Sequence, residues 1–287
     1  MQPDGNGVHR LTRFAIEYFY IPDNPRQSPD GRSISFIGQC GDEVKPQPDL
    51  CIMNSDGSGG RTVATSDPVV IDLRDTPAWS PDGTRLAFTR TVPHSPTDAG
   101  SSVHVIGIDG SAERTLVDQA RAPTWSPDGS QLAVVSDRDG GTRIYQVGVN
   151  GSDLRQLTDG PNDDYPAWSP DGRRIAFQSR RAGKPLVLDD AAERDPEEAS
   201  KLLANGGTDI YVMQADGSDI KLLTENSSDN SEPAWSPDGD QLAFVSNRDG
   251  DFEIYSMNLD GSNVRRLTNI PGGNRAPSWA PHESERG

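Results

Sequence analysis

The sequence is poor in the residues that announce chemistry. Its 287 residues include two cysteines, Cys40 and Cys51, and four histidines. That leaves no clustered Cys/His set for a zinc site. No run of about 18 apolar residues occurs, so nothing reads as a membrane-spanning helix. Lys and Arg together number 27 against 44 Asp and Glu, a formal charge of −17. This balance argues against nucleic acid and anionic membrane surfaces as partners and favours a basic or cationic one, although an acidic solvated surface accounts for it equally. The start, Met1-Gln2-Pro3-Asp4-Gly5, has neither the basic nor the apolar stretch of a secretion signal. Catalytic motifs are missing as well. There is no Gly-x-Ser-x-Gly elbow and no Walker A loop, and His282-Glu283 lacks the second histidine of a zincin. Asp137-Arg138-Asp139-Gly140 and Asn247-Arg248-Asp249-Gly250 resemble pieces of calcium loops but lack the distal glutamate. Apolar residues make up only 32%, beside 29 Gly and 23 Pro, a balance that suits short strands and tight turns rather than helices.

What is present is a repeat. Trp-Ser-Pro-Asp-Gly stands whole at 79–83, 125–129, 168–172 and 235–239. A variant, Gln27-Ser28-Pro29-Asp30-Gly31, opens the series and Trp279-Ala280-Pro281-His282 closes it. The intervals are 52, 46, 43, 67 and 44 residues. Proline pre-sets φ, aspartate follows and glycine bends the chain back, so each copy is a hairpin turn between strands A and B. The last full unit continues with strand B at Gln241–Ser246, a turn at 247–250, strand C at Glu253–Met257, a second turn at Asp260-Gly261-Ser262 and strand D ending at Arg266-Leu267-Thr268. Four antiparallel strands recurring about every 43 residues predict an all-β propeller. Its five full blades start near 24, 76, 122, 165 and 235. Trp79, Trp125, Trp168, Trp235 and Trp279 are then structural, packing between blades. The longest interval reflects an insertion at 184–207, where Asp195-Pro196-Glu197-Glu198 and Lys201-Leu202-Leu203-Ala204 predict a short helix. Residues 4–12 match the D strand at 260–268 position for position, and 277–279 restart strand A. The array therefore reads either as five blades with spare strands or as part of a six-bladed ring.

These motifs, together with the recurring Leu/Ile-Ala-Phe and Ile-Tyr-x-Met strands, resemble the TolB-type β-propeller repeat. The resemblance implies a periplasmic or secreted setting and a role in contacting another protein, as in the Tol-Pal envelope system. The same repeat also accompanies prolyl-oligopeptidase-like peptidases. We therefore expect a monomeric, non-catalytic protein-binding scaffold. The alternatives are a substrate-gating propeller detached from a peptidase and a secreted enzyme that uses the channel.

In such blades the A–B and C–D turns share one face of the disc, and here they are uniform. All variation in length falls on the opposite face, at 13–24, 41–49, 65–76, 91–102 and 184–207. Variable loops on a rigid scaffold are where binding is usually built. Acids enter strand A from that face at Asp72, Asp75, Asp163, Asp164 and Glu232. They form a candidate site for a basic partner or for a channel cation such as calcium, no other cofactor being implied. Cys40 and Cys51 flank the B–C hairpin of blade one, within disulfide reach. Either they are bridged, which implies an oxidising compartment, or they are two unrelated thiols, one of them filling the tyrosine slot of strand C.

Overall fold

The computed structural model describes residues 23–40, 48–65, 73–92, 100–160, 162–181, 207–225, 228–269 and 273–279. Blade one holds β1 (Asp23–Gln27), β2 (Ser33–Gly38), β3 (Asp49–Asn54) and β4 (Arg61–Ala64). Blade two holds β5 (Leu73–Trp79), β6 (Arg85–Thr91), β7 (Ser101–Gly107) and β8 (Arg114–Asp118). Blade three holds β9 (Arg121–Trp125), β10 (Gln131–Ser136), β11 (Arg143–Gly148) and β12 (Arg155–Gln156). Blade four holds β13 (Asp163–Trp168), β14 (Arg174–Ser179), β15 (Asp209–Gln214) and β16 (Lys221–Leu222). Blade five holds β17 (Asn230–Trp235), β18 (Gln241–Ser246), β19 (Glu253–Asn258) and β20 (Arg265–Arg266). Each blade is a separate antiparallel meander in chain order, so the expected five four-stranded blades are present.

Successive inner strands pack on one another, β1 on β5, β5 on β9, β9 on β13 and β13 on β17. The core is correspondingly divided into seams. Ile37, Leu50 and Ile52 of blade one meet Leu86, Phe88 and Ile106 of blade two. Ala176, Ile210 and Val212 of blade four meet Trp235, Leu242 and Phe244 of blade five. Strands B and C are apolar on both faces because both faces are covered, and burying each such large side chain stabilises by about 1.5–3 kcal/mol.

The uniform turns interlock. In every A–B turn the serine hydroxyl donates to the aspartate two residues on, as Ser126 to Asp128 at 2.6 Å. That aspartate also accepts from the backbone N–H two residues further on, as Asp128 from Ser130 at 3.0 Å. The turn glycine sits at positive φ, where a side chain is disfavoured, and in blades three, four and five it lies against the preceding blade's turn proline: Gly129 on Pro81, Gly172 on Pro127, Gly239 on Pro170. The C–D turns do the same one strand further out. A Cβ on Gly217 would stand 2.5 Å from the Leu157 carbonyl oxygen of the blade before.

Two expectations meet the structure differently. Residues 273–279 are described and hold no strand, so a sixth partial blade is not seen among the described residues. The D-strand match at 4–12 and the helix expected within 184–207 lie outside them.

Candidate functional site

The channel is built from one local device repeated around the ring. Three residues before each strand-A tryptophan (or its counterpart Gln27), the backbone takes a left-handed turn: Asn24 (φ 50), Thr76 (φ 47), Ala122 (φ 50), Tyr165 (φ 50), Glu232 (φ 54) and Ala276 (φ 55). The pairing of strands A and B is bulged at these points. A proline follows every one of them, at 25, 77, 123, 166, 233 and 277. Left-handed backbone at non-glycine residues costs roughly 1–2 kcal/mol each and persists only when surroundings hold it. At three of them a side chain of the preceding blade catches the N–H, and at Tyr165 the neighbouring Asp164 carboxylate does so at 2.8 Å. Ala122 N–H donates to Thr89 Oγ1 (2.9 Å), Glu232 N–H to Gln178 Oε1 (3.0 Å) and Ala276 N–H to Glu232 Oε2 (2.5 Å). Sequence reading missed this device, although residue–Pro–x–Trp recurs visibly.

The tryptophans tie each blade to the one before. The indole N–H donates to the carbonyl of the residue preceding the earlier blade's tryptophan slot: Trp79 to Arg26 (2.9 Å), Trp125 to Ala78 (3.1 Å), Trp235 to Ala167 (2.9 Å) and Trp279 to Ala234 (3.1 Å). Arg85 stacks over Trp125 at 4.9 Å and Arg174 over Trp235 at 5.0 Å. Trp168 differs, because its indole nitrogen is buried with no acceptor. The position that would cap it is Gln131 rather than arginine. Residues 276–279 thus carry the left-handed residue, the proline and an indole bond like those of Trp79, Trp125 and Trp235, without a sheet. Inside the ring lies a cavity of about 350 Å³, walled by these prolines and tryptophans together with Arg26, Tyr165 and Glu232.

The predicted acids are placed as follows. Asp163 is fully buried at the start of β13, accepting from Ser179 Oγ (2.6 Å) and paired with Arg181 (2.6 Å). Asp164 pairs with Arg121 at 2.7 Å. Glu232 holds the Ala276 N–H and stands 3.6 Å from Arg275. Asp75 faces Thr89 in the strand register, its side chain lying outside the described residues, as does all of Asp72. Of the three acids whose side chains are described, Glu232 lines the cavity. The three described acids thus already carry cationic or N–H partners from the chain. Among the described residues no group of three or more His, Cys, Asp or Glu is placed to hold a metal.

Cys40 and Cys51 form a disulfide with Cα atoms 6.0 Å apart. Cys51 does fill the tyrosine slot. It stands opposite Phe36, as Tyr211 stands opposite Phe177 and Tyr255 opposite Phe244.

A family model described as the TolB beta propeller domain matches residues 30–198 and 195–285. The chain belongs to the TolB β-propeller domain family. A TolB homolog from Chlorobium luteolum is 30% identical over 136 residues, covering 40% of this chain and 31% of that protein. A Bacillus subtilis protein named as an uncharacterized peptidase, YuxL, is 28% identical over 208 residues, covering 65% of this chain and 32% of its own. These matches span about a third of the length of either relative. The crystal structure of TolB from Acinetobacter baumannii superposes with a TM-score of 0.71 at 19% identity, over 91% of this chain and 58% of that one. At that identity the likeness speaks for the TolB-like fold alone.

Proposed function

We propose that this TolB-like propeller is a non-catalytic scaffold that binds another protein through the face carrying its B–C and D–A connections. The observation that carries the reading is a division of labour between faces. On the turn face the aspartate of each Ser-Pro-Asp-Gly turn accepts from its turn serine, and the turn glycines of both turn types close the turns with their N–H groups. The opposite face carries the variation in length and is free to be shaped by a partner. The relatives named as TolB proteins support a scaffold role. The charge of −17 favours a basic partner surface. The disulfide supports an oxidising setting, periplasmic or secreted.

The same reading includes a sixth blade position. Ala276 and Trp279 open it with the geometry of the other five, and residues 4–12, which match a D strand, would supply its outer strand. That blade would then hold only its inner and outer strands, with a gap between them.

A second reading, a gating propeller that accompanies a peptidase, is favoured by the 208-residue match to a protein named as a peptidase. A hydrolase domain in the same reading frame would establish it.

The test is charge reversal at exposed positions on each face, read by association kinetics with a purified partner. Asp137→Lys and Asp251→Lys on the loop face should slow association about tenfold or more and flatten its salt dependence, whereas Asp240→Lys on the turn face should leave it unchanged. The reverse pattern refutes the assignment of faces.

A further inference from the structure

The five B–C hairpins are fastened in different ways, and the differences fall at equivalent positions. In blades three, four and five an arginine four residues after the central B-strand residue folds back over the strand-C tyrosine: Arg138 over Tyr145 at 5.4 Å, Arg181 over Tyr211 at 5.5 Å, Arg248 over Tyr255 at 4.8 Å. The same arginine is held by the serine that ends strand B. Arg138 Nε donates to Ser136 Oγ at 2.9 Å and Arg248 Nε to Ser246 Oγ at 3.1 Å. In blades three and five the tyrosine hydroxyl also donates to the aspartate that follows the arginine, Asp139 and Asp249. The hairpin is thereby clipped from both sides by non-covalent contacts.

Blade one has neither partner. Counting from Phe36, the arginine position is Cys40 and the tyrosine position is Cys51, and these two are bonded to each other. Gly38 stands where the serine would. The bridge packs with Phe36, Met53 and Ile34 in a small cluster of its own. Cys51 is fully buried, whereas Cys40 is only half-buried, so the bond can be approached from the Cys40 side.

We propose that the Cys40–Cys51 bridge is the redox-dependent counterpart of the arginine-over-tyrosine clip, so that reduction loosens the B–C hairpin of blade one and leaves blades three to five fastened. The chemistry is ordinary thiol–disulfide exchange. A thiolate of a dithiol reductant attacks the Cys40 sulfur, the Cys40–Cys51 bond breaks, and Cys51 leaves as a thiolate that takes up a proton. The reductant's second thiol then attacks the mixed disulfide and releases Cys40. Two electrons and two protons pass to the protein, and the reductant ends as a disulfide. No other clip in the described blades can be opened by a reductant.

The test is hydrogen exchange read by mass spectrometry on the full chain, oxidised and after dithiothreitol, with thiol titration reporting the state of the bond. Reduction should raise exchange across β2 and β3 on the order of 10- to 100-fold and leave β18 and β19 unchanged. Cys40→Ser with Cys51→Ser should exchange like the reduced protein under both conditions. Cys40→Arg and Cys51→Tyr combined with Gly38→Ser should stay protected in reductant, because together they rebuild the clip of the other blades. Two free thiols in protein prepared under oxidising conditions would overturn the proposal. So would full protection of β2 and β3 in the serine pair, or a reduction-induced rise spread equally over all blades. The serine pair decides the matter even where the arginine–tyrosine variant does not fold.

Discussion

The tryptophans show how one residue type at equivalent positions does unequal work. Trp235 has an acceptor and an arginine cap, whereas Trp168 has neither. Trp235→Phe therefore removes a hydrogen bond and weakens a cation–π contact, a loss of about 2 kcal/mol, while Trp168→Phe should cost under about 1 kcal/mol. Chemical denaturation of the two variants checks the order, and equal losses would contradict it. Aspartates in the turns set the acid limit. The Ser80 hydroxyl and then the Thr84 N–H hold the Asp82 carboxyl down at about 2, against 3.8 ordinarily. Asp30, Asp128 and Asp171 are lowered too, each chiefly by its turn serine. A lowered folded value means the stabilisation is complete above about pH 4 and fades as pH falls towards 2. Thermal melts should fall across that window, and replacing Ser80 with alanine should flatten the part due to Asp82. The residue–Pro–x–Trp spacing was legible in the sequence, but the strained bulge inside it was not. The side chains that hold it, Thr89, Gln178 and Glu232, lie 33, 54 and 44 positions away from the N–H they catch.

At the scale of strands and turns, the blade pattern was read almost strand for strand because each strand type carries its own motif. The pairing of the acids was not, since Asp163 meets Arg181 only after a hairpin has folded back. Turn chemistry alone also fails to say which glycines touch a neighbour. Gly140 and Gly217 both sit at positive φ, yet a Cβ on Gly140 meets nothing within 4 Å and one on Gly217 collides with the Leu157 carbonyl. Gly140→Ala should cost about 1 kcal/mol from backbone strain, and Gly217→Ala about 1–3 kcal/mol more from the lost interlock. Equal melting of the two variants would remove interlocking as the reason for the uniform turns. The B–C clip of blade five has an alkaline limit. Burial, then the hydrogen bond to Asp249, pushes the Tyr255 hydroxyl up to about 12 from 10.0. A raised value means this contribution is whole below pH 10 and is lost as pH climbs through 12. Tyr255→Phe should abolish that part of the alkaline transition, and tyrosinate absorbance during unfolding reads it directly.

As a whole the molecule is a chain of like blades, fastened one to the next through contacts drawn from a shared set: bulge, tryptophan, A–B turn and C–D turn. Those contacts consume one face and the channel wall, which is why their motifs repeat. The other face is under no such demand, and there the sequence varies. Glu232 belongs to the fastening set, because it holds residues 275 and 276 to blade five. Five photo-reactive positions, one substituted per variant of the full chain expressed in an oxidising compartment, test this account most directly: Asp118, Asp137 and Asp251 on the loop face, Arg173 and Asp240 on the turn face. The account predicts partner adducts from the first three alone. Adducts concentrated at Arg173 and Asp240 would contradict it.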